Sequence, residues 1–319
     1  MTSHRQAYMV LSPRSLPYAR YALESLFCNS KEALDLHLIT DSDADKETLL
    51  DSLAAMGMDS RHVWSVTAES ELMDRESDVF GAYPNLRAFR HGHPCWRKVT
   101  DPMLLSEPGR ELVLLDPDLY FPNVFSFEET PPTGLLLMWQ RPNCLLPPEV
   151  VRAAFAADIK LAHHVDIGVS HWRADADLEW IDWLIGRLGG ARLPRIMHIE
   201  AIVWAALAMR VGGGYLDPTL WSCWHRTQVK RILRKLKVSG ARILESERWG
   251  EIKCFHAGGE AKWWLPDAER AGILKCGPEH VGAGVTAPFV ELTPSRYGFE
   301  QGAKQLLRAA GYYRLFAAQ

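Results

Sequence analysis

The 319-residue chain has little that would staple it, anchor it or give it a strong field. Its six cysteines, Cys28, Cys95, Cys144, Cys223, Cys254 and Cys276, are scattered with no Cys-x-x-Cys pair, which argues against a zinc knuckle or a disulfide scaffold and predicts buried thiols. No hydrophobic run approaches the ~20 residues that span a bilayer. The opening Met1-Thr2-Ser3-His4-Arg5 has no apolar signal core behind it, so a cytoplasmic protein is expected. The formal net charge of -3 supplies no global basic field; no nucleic-acid partner is expected, and any membrane contact has to be local. Neither an internal repeat nor a low-complexity linker interrupts the chain.

What is present is a globular composition, 47% hydrophobic, with strands and helices in alternation. Residues 7–11 read as a short strand, Pro17 opens a helix running to about Cys28, and Leu34–Thr40 is a second apolar run. A helix over 45–56 follows, with Ser42 or Asp43 as cap and Gly57 as stop. Residues 62–66 form another strand; after a polar connection come a helix over 96–105 and the apolar strand Glu111–Leu115. This pattern predicts an α/β fold with a mostly parallel sheet covered on both faces. Further on, residues 134–138 and 167–170 read as strands and Leu178–Leu188 and Ile199–Val211 as helices. Residues 227–238 read as a basic amphipathic helix in which Val229, Ile232, Leu233 and Leu236 share a face. The main domain is placed at 1–264, and residues 265–319 are read as a small C-terminal appendage ending in a helix over 299–313.

Asp-x-Asp occurs four times, at 41/43, 43/45, 116/118 and 175/177. The first two lack the glycine and the bidentate glutamate of a calcium loop, since Lys46 and Ser52 stand at those positions, and helix capping accounts for them and for Asp175/Asp177. Asp116-Pro117-Asp118 differs because it ends a buried strand, where open α/β sheets bind ligands. Two carboxylates buried together call for a cation, and Mn²⁺ or Mg²⁺ would bridge them to phosphate oxygens. A polar turn shaped by Pro117 is the alternative.

A more specific pattern is His256-x-x-Gly259-x-x-Lys262-x-Trp264. Imidazole can complete a carboxylate-held metal shell, glycine admits a diphosphate close to the backbone, and lysine neutralises its charge. With these residues the chain resembles the GT-A fold glycosyltransferases, and among them family 8, the glycogenin and lipopolysaccharide galactosyltransferase group, which carries Asp-x-Asp after an apolar strand and a late His-x-x-Gly-x-x-Lys-Pro-Trp. Trp263 replaces the proline here. The resemblance covers roughly residues 7–264. It implies a GT-A, Rossmann-like mixed sheet flanked by helices, with Asp116, Asp118 and His256 on Mn²⁺ and Gly259 and Lys262 on the diphosphate of a UDP-sugar. It also implies Leu11, Ser12 and Tyr18 near uracil, and Arg97 and Lys98 facing the donor. Where the family has Asn-Ser-Gly-Val this chain has Asp166-Ile167-Gly168-Val169, and where it has Asp-Gln this chain has Glu200-Ala201.

The implied reaction moves a sugar from the UDP-sugar to an acceptor hydroxyl, with retention by family likeness. Asp166 and Glu200 are the candidate catalytic carboxylates, one of which would act as base if the outcome is inversion. The acceptor class, whether glycan, lipid, protein or small molecule, is left open. A sugar-1-phosphate nucleotidyltransferase would carry a glycine-rich basic loop after its first strand, and Leu11-Ser12-Pro13-Arg14-Ser15 has no glycine. A non-catalytic nucleotide-sugar binder of the same fold is the other alternative. Of the twelve tryptophans, Trp221, Trp224, Trp263 and Trp264 fall near the donor lysine. The basic 227–238 helix offers peripheral contact with an anionic membrane or a phosphorylated acceptor, against the alternative of a solvated face.

Overall fold

The sheet forms because its strands alternate apolar residues onto two faces, each covered by its own set of helices. The computed structural model describes residues 4–57, 60–173, 175–274 and 277–316. Its strands are β1 (Arg5–Val10), β2 (Leu34–Thr40), β3 (Val63–Ala68), β4 (Glu111–Leu115), β5 (Leu119–Tyr120), β6 (Asn123–Phe125), β7 (Leu135–Trp139), β8 (Val165–Arg173), β9 (Gly213–Tyr215), β10 (Trp221–Cys223), β11 (Cys254–His256), β12 (Gly277–Val281) and β13 (Ala287–Pro288). The main sheet has eight strands in the order β13-β9-β7-β8-β4-β1-β2-β3. β1 pairs parallel with β2 and β4, β2 with β3, and β7 with β9. β8 runs antiparallel between β4 and β7, and β13 antiparallel to β9.

In β4, Leu112 and Leu114 enter one core while Val113 and Leu115 enter the other, all four without exposed surface. Burying each such side chain stabilises the fold by roughly 1.5–3 kcal/mol. The first core is closed by the helices Arg97–Leu105, Leu178–Leu188 and Ile199–Val211, the second by Leu16–Asn29 and Asp43–Ala55. The α/β arrangement and the alternation expected from sequence are therefore present. Ser42 caps the helix that follows β2, accepting from the Asp45 amide.

The stretch between β3 and residue 96, read as a polar connection, contains two helices, Met73–Phe80 and Pro84–Arg90. Its polar residues are partly internal. Arg90 is buried between Glu76 and Asp101, with Nε 2.8 Å from the Asp101 carboxylate.

Residues beyond 264 are tied into the same body rather than appended to it. β13 is an edge strand of the main sheet, β12 pairs with β6, and Leu265 and Tyr297 join the two cores. The final long helix is Pro294–Ala309, begun by the Thr293 cap and a proline in its first turn. Among the described residues no helix is long and apolar enough to cross a membrane.

Candidate metal and diphosphate site

β4 ends at Leu115, and the backbone continues its pairing with β8: the Asp116 amide donates to Gly168 O at 2.8 Å. This sets Asp116 beside the start of β8, which carries Asp166. The chain then enters β5, which pairs antiparallel with β11, so that Leu119 faces His256. The Ala257 amide closes on Asp118 O at 2.8 Å. β10 lies on the other side of β11 with Cys223 opposite His256. A three-stranded sheet of short segments thus carries the late histidine to the end of the central strand.

The result is a buried cluster. A ligand atom from each of Asp116, Asp118 and His256 lies within 4.8 Å of the others. His256 Nε2 is 3.2 Å from Asp118 Oδ1 and 3.7 Å from Asp116 Oδ2, while Nδ1 is 2.8 Å from Asp166 Oδ1. Lys262 Nζ is 3.2 Å from Asp118 Oδ2. On the far side Lys98 Nζ lies 2.6 Å from Asp116 Oδ1 and 3.0 Å from Glu200 Oε1. Lys98 thus bridges Asp116 and Glu200 by charge.

Four carboxylates, two lysines and one imidazole share this volume, and their protonation follows. Burial opposes charge on His256, but Asp166 and Asp118 outweigh it and hold the imidazole pKa well above its ordinary value. Burial likewise raises Asp118, yet His256 and Lys262 carry it below the usual carboxylate range. Asp116 is raised by burial, only partly offset by Lys98. Glu200 is pushed up to about 8 by burial, with Lys98 opposing and Asp116 adding to the rise.

The trio fits a divalent cation on its own chemistry: two carboxylates and an imidazole nitrogen converge, and the imidazole holds a proton where an ion would sit. The imidazole's other nitrogen rests on Asp166, the arrangement that commonly orients a metal-binding histidine.

The remaining sequence candidates fall into groups. Tyr18 is buried and stacks edge-on with Trp263 at 5.0 Å, and Lys262 Nζ sits 4.9 Å over its ring, so the Tyr18 region adjoins the cluster. Leu11 is fixed by its amide on Ile39 O, and Ser12 caps the short turn after β1. Gly259 has φ +65°, and a Cβ there would meet open space; it is a left-handed turn before Lys262. Arg97 and Lys98 diverge, as neighbours on a helix must. Lys98 enters the cluster, whereas Arg97 donates to Thr40 O and pairs with Asp41 beyond the end of β2. Asp166 and Glu200 are both at the site, the first held on His256 and the second on Lys98.

Sequence reading missed two members. Cys223 Sγ lies 3.4 Å from Asp166 Oδ2 and 3.8 Å from His256 Nδ1, although nothing in its spacing marks it; only the register of β10 on β11 places it there. Gly168 is the other: a Cβ on it would come within 2.6 Å of His256 Nδ1, so the glycine makes room for the imidazole. Most of the tryptophans pack the core. Trp221 is fully buried and Trp224 and Trp264 meet edge-on, whereas Trp263 is half exposed beside Tyr18.

No sequence-family profile matches the chain, and no curated protein does. Solved structures do. Mouse xyloside xylosyltransferase 1, in its apo form, is similar at a TM-score of 0.50 and 12% identity over 81% of this chain and 98% of that one. This is the GT-A glycosyltransferase fold. The galactosyltransferase LgtC, in a complex with donor and acceptor sugar analogues, is similar at a TM-score of 0.46 and 13% identity, covering 86% of this chain and 98% of that one. The glycosyltransferase GlyE of Streptococcus pneumoniae is similar at a TM-score of 0.46 and 13% identity, over 85% of this chain and 60% of that one. The mixed sheet ordered about β4 and β1 is thus the GT-A sheet expected from the two motifs.

In the basic helix, Gln228–Lys235, the apolar face is divided, and Leu233 packs against the second core. Lys230 pairs with Glu247 and sits 3.9 Å over the Trp224 ring; Arg234 lies 5.1 Å over Trp264. Lys230 and Arg234 are turned onto aromatic faces and carboxylates, whereas Lys235, Val229, Ile232 and Leu236 are exposed.

Proposed function

We propose that this chain is a metal-dependent glycosyltransferase that moves a sugar from a UDP-sugar to an acceptor hydroxyl with retention. The observation that carries the reading is the convergence of Asp116, Asp118 and His256 with Lys262 at the end of the central strand of a GT-A sheet. Mn²⁺ held by Asp116, Asp118 and His256 would supply positive charge to the leaving diphosphate. Mn²⁺ suits the imidazole ligand better than Mg²⁺ does.

The chain's own residues do the rest. Lys262, freed from Asp118 when phosphate oxygens arrive, provides a second positive charge for the diphosphate. The left-handed turn at Gly259 brings it there without a side chain in the way. Tyr18 and Trp263 border this end, where the nucleoside would lie. Lys98 favours the charged form of Asp116 against burial and holds Glu200 across the site.

Asp166 is engaged by His256 and is better suited to orienting that ring than to taking a proton. Glu200, poised at about 8, is the better acid–base candidate of the two. The test is release of UDP from a panel of UDP-sugars: slow, Mn²⁺-dependent release supports the transferase, and its absence across the panel with UDP binding retained favours a non-catalytic binder.

A further inference from the structure

A groove of about 500 Å³ opens at the same end of the sheet as the metal cluster, lined from three directions. The turn after β7 gives Arg141, the turn after β10 gives Arg226, and the helix Pro294–Ala309 gives Arg296, Phe299 and Lys304. Four cationic side chains face it and one carboxylate, Glu300, which His163 and Arg296 already share at 2.9 and 3.6 Å, while Arg226 is also paired with Glu260 at 3.0 Å. Neither Arg141 nor Lys304 has a carboxylate partner among the described residues; the Arg141 guanidinium rests on the Trp139 ring at 5.2 Å. The half-buried imidazole of His164, also in the wall, is driven down to about 4 by burial and by the charges of His163 and Arg141. Phe299 is 78% exposed, an aromatic face at the mouth of a cationic groove.

The groove is coupled to the metal cluster through the strand ends. His225 Nδ1 lies 2.9 Å from Arg141 O, and His225 is two residues from Cys223, whose thiol touches Asp166. Gln140 donates to Val165 O at 3.1 Å, beside Asp166. Strand order gives the direction. Tyr18 follows β1, the carboxylates end β4, and the groove lies beyond β8 at the end of β7. A sugar nucleotide is linear, nucleoside to diphosphate to sugar. With its nucleoside by Tyr18 and its diphosphate at Asp116 and Asp118, its sugar points towards β8, and whatever accepts that sugar comes from the β7 side.

Resting on the transferase reading, we infer that this groove is the acceptor subsite and that the acceptor is an anionic sugar, its phosphate or carboxylate seated among Arg141, Arg226, Arg296 and Lys304 and its ring against Phe299. Guanidinium forks match such oxyanions in two-point contacts, and an aromatic face suits the apolar side of a sugar ring. The helix Pro294–Ala309 then has a function in closing the acceptor side.

The test compares glucose, glucose 6-phosphate and glucuronate as probes, by calorimetric titration at fixed ionic strength with UDP and Mn²⁺ present, and then as acceptors with the donor found by UDP release. Either anionic sugar is expected to bind about tenfold or more tightly than glucose, as a charge-assisted contact warrants. Lys304→Glu and Arg141→Gln should each bring the ratio towards one, and which anion binds distinguishes phosphate from carboxylate. Equal binding of all three, no binding of either anion, or a preference that survives both substitutions overturns the inference. UDP titration in the same variants reports on the donor site separately. Because the sugar titration needs no turnover, a failure of transfer with anion preference intact counts against the transferase reading and not against the groove.

Discussion

His256 is held from both sides: its Nδ1 lies 2.8 Å from Asp166 and its Nε2 3.2 Å from Asp118. One carboxylate orients the ring and the other shares its outward nitrogen, so the two should respond differently to substitution. Asp166→Asn keeps a polar neighbour but no longer enforces a proton on Nδ1, and should weaken Mn²⁺ binding by about 10–100-fold, the usual cost of losing the partner behind a metal-bound histidine. Calorimetric titration of Mn²⁺ in the presence of UDP measures this.

Protons and metal compete for the same nitrogen. The folded-state pKa of His256 lies above its unfolded value of about 6.5, so the protonated ring stabilises the metal-free protein fully below that pH, and the contribution is lost as pH rises through the folded value. Mn²⁺ affinity should therefore rise about tenfold per pH unit below the folded pKa, with release of one proton. Thermal unfolding with and without Mn²⁺ between pH 6 and pH 8, about the His range, should show a metal-induced shift that grows with pH. A shift independent of pH would remove His256 from the metal shell.

Gly168→Ala places a Cβ 2.6 Å from His256 Nδ1. The ring has to move, at a cost of about 1–3 kcal/mol for overpacking a buried site. Denaturant unfolding should show the loss, and Mn²⁺ binding should weaken along with it, because the same displacement takes Nε2 away from Asp118.

Lys98 is the buried cation between Asp116 and Glu200. Lys98→Met leaves those carboxylates without it and should cost about 3–5 kcal/mol, the range for breaking a buried pair. Because Glu200 sits at about 8 even with Lys98 opposing the rise, it is protonated once the lysine is gone, and adding Glu200→Gln should recover little of the loss near pH 7. A double variant clearly more stable than Lys98→Met would show that Glu200 stays charged without the lysine.

Much of this was legible in the chain. The apolar run 112–115 read as a buried strand, as it is, which put Asp116 and Asp118 at its end, and the spacing of His256, Gly259 and Lys262 pointed to residues that the fold brings beside them. What was not legible depended on contacts between distant short segments. Cys223 reaches the site through a three-residue strand too short to carry a period, and β5, β6, β9, β11 and β13 are no longer than that. The helix after Thr227 illustrates a different limit. Its periodicity gave two faces but not which one turns inward, and here the aromatic rings of Trp224 and Trp264 with Glu247 attract the cations and leave Val229 and Ile232 outside. The polar stretch before Trp96 read as a connection because Glu76 and Arg90 within it are internal ions, paired with each other and with Asp101 beyond it, and burial of paired charges leaves no hydrophobic pattern.

The most direct measurement is calorimetric titration of UDP, with and without Mn²⁺, into the wild-type chain, Asp118→Asn and His256→Ala. Metal-dependent binding in the wild type, weakened at least about tenfold in both variants while their circular dichroism stays unchanged, is the predicted result. Equal UDP affinity in all three proteins, or binding indifferent to Mn²⁺, would contradict a metal–diphosphate centre at Asp116, Asp118 and His256.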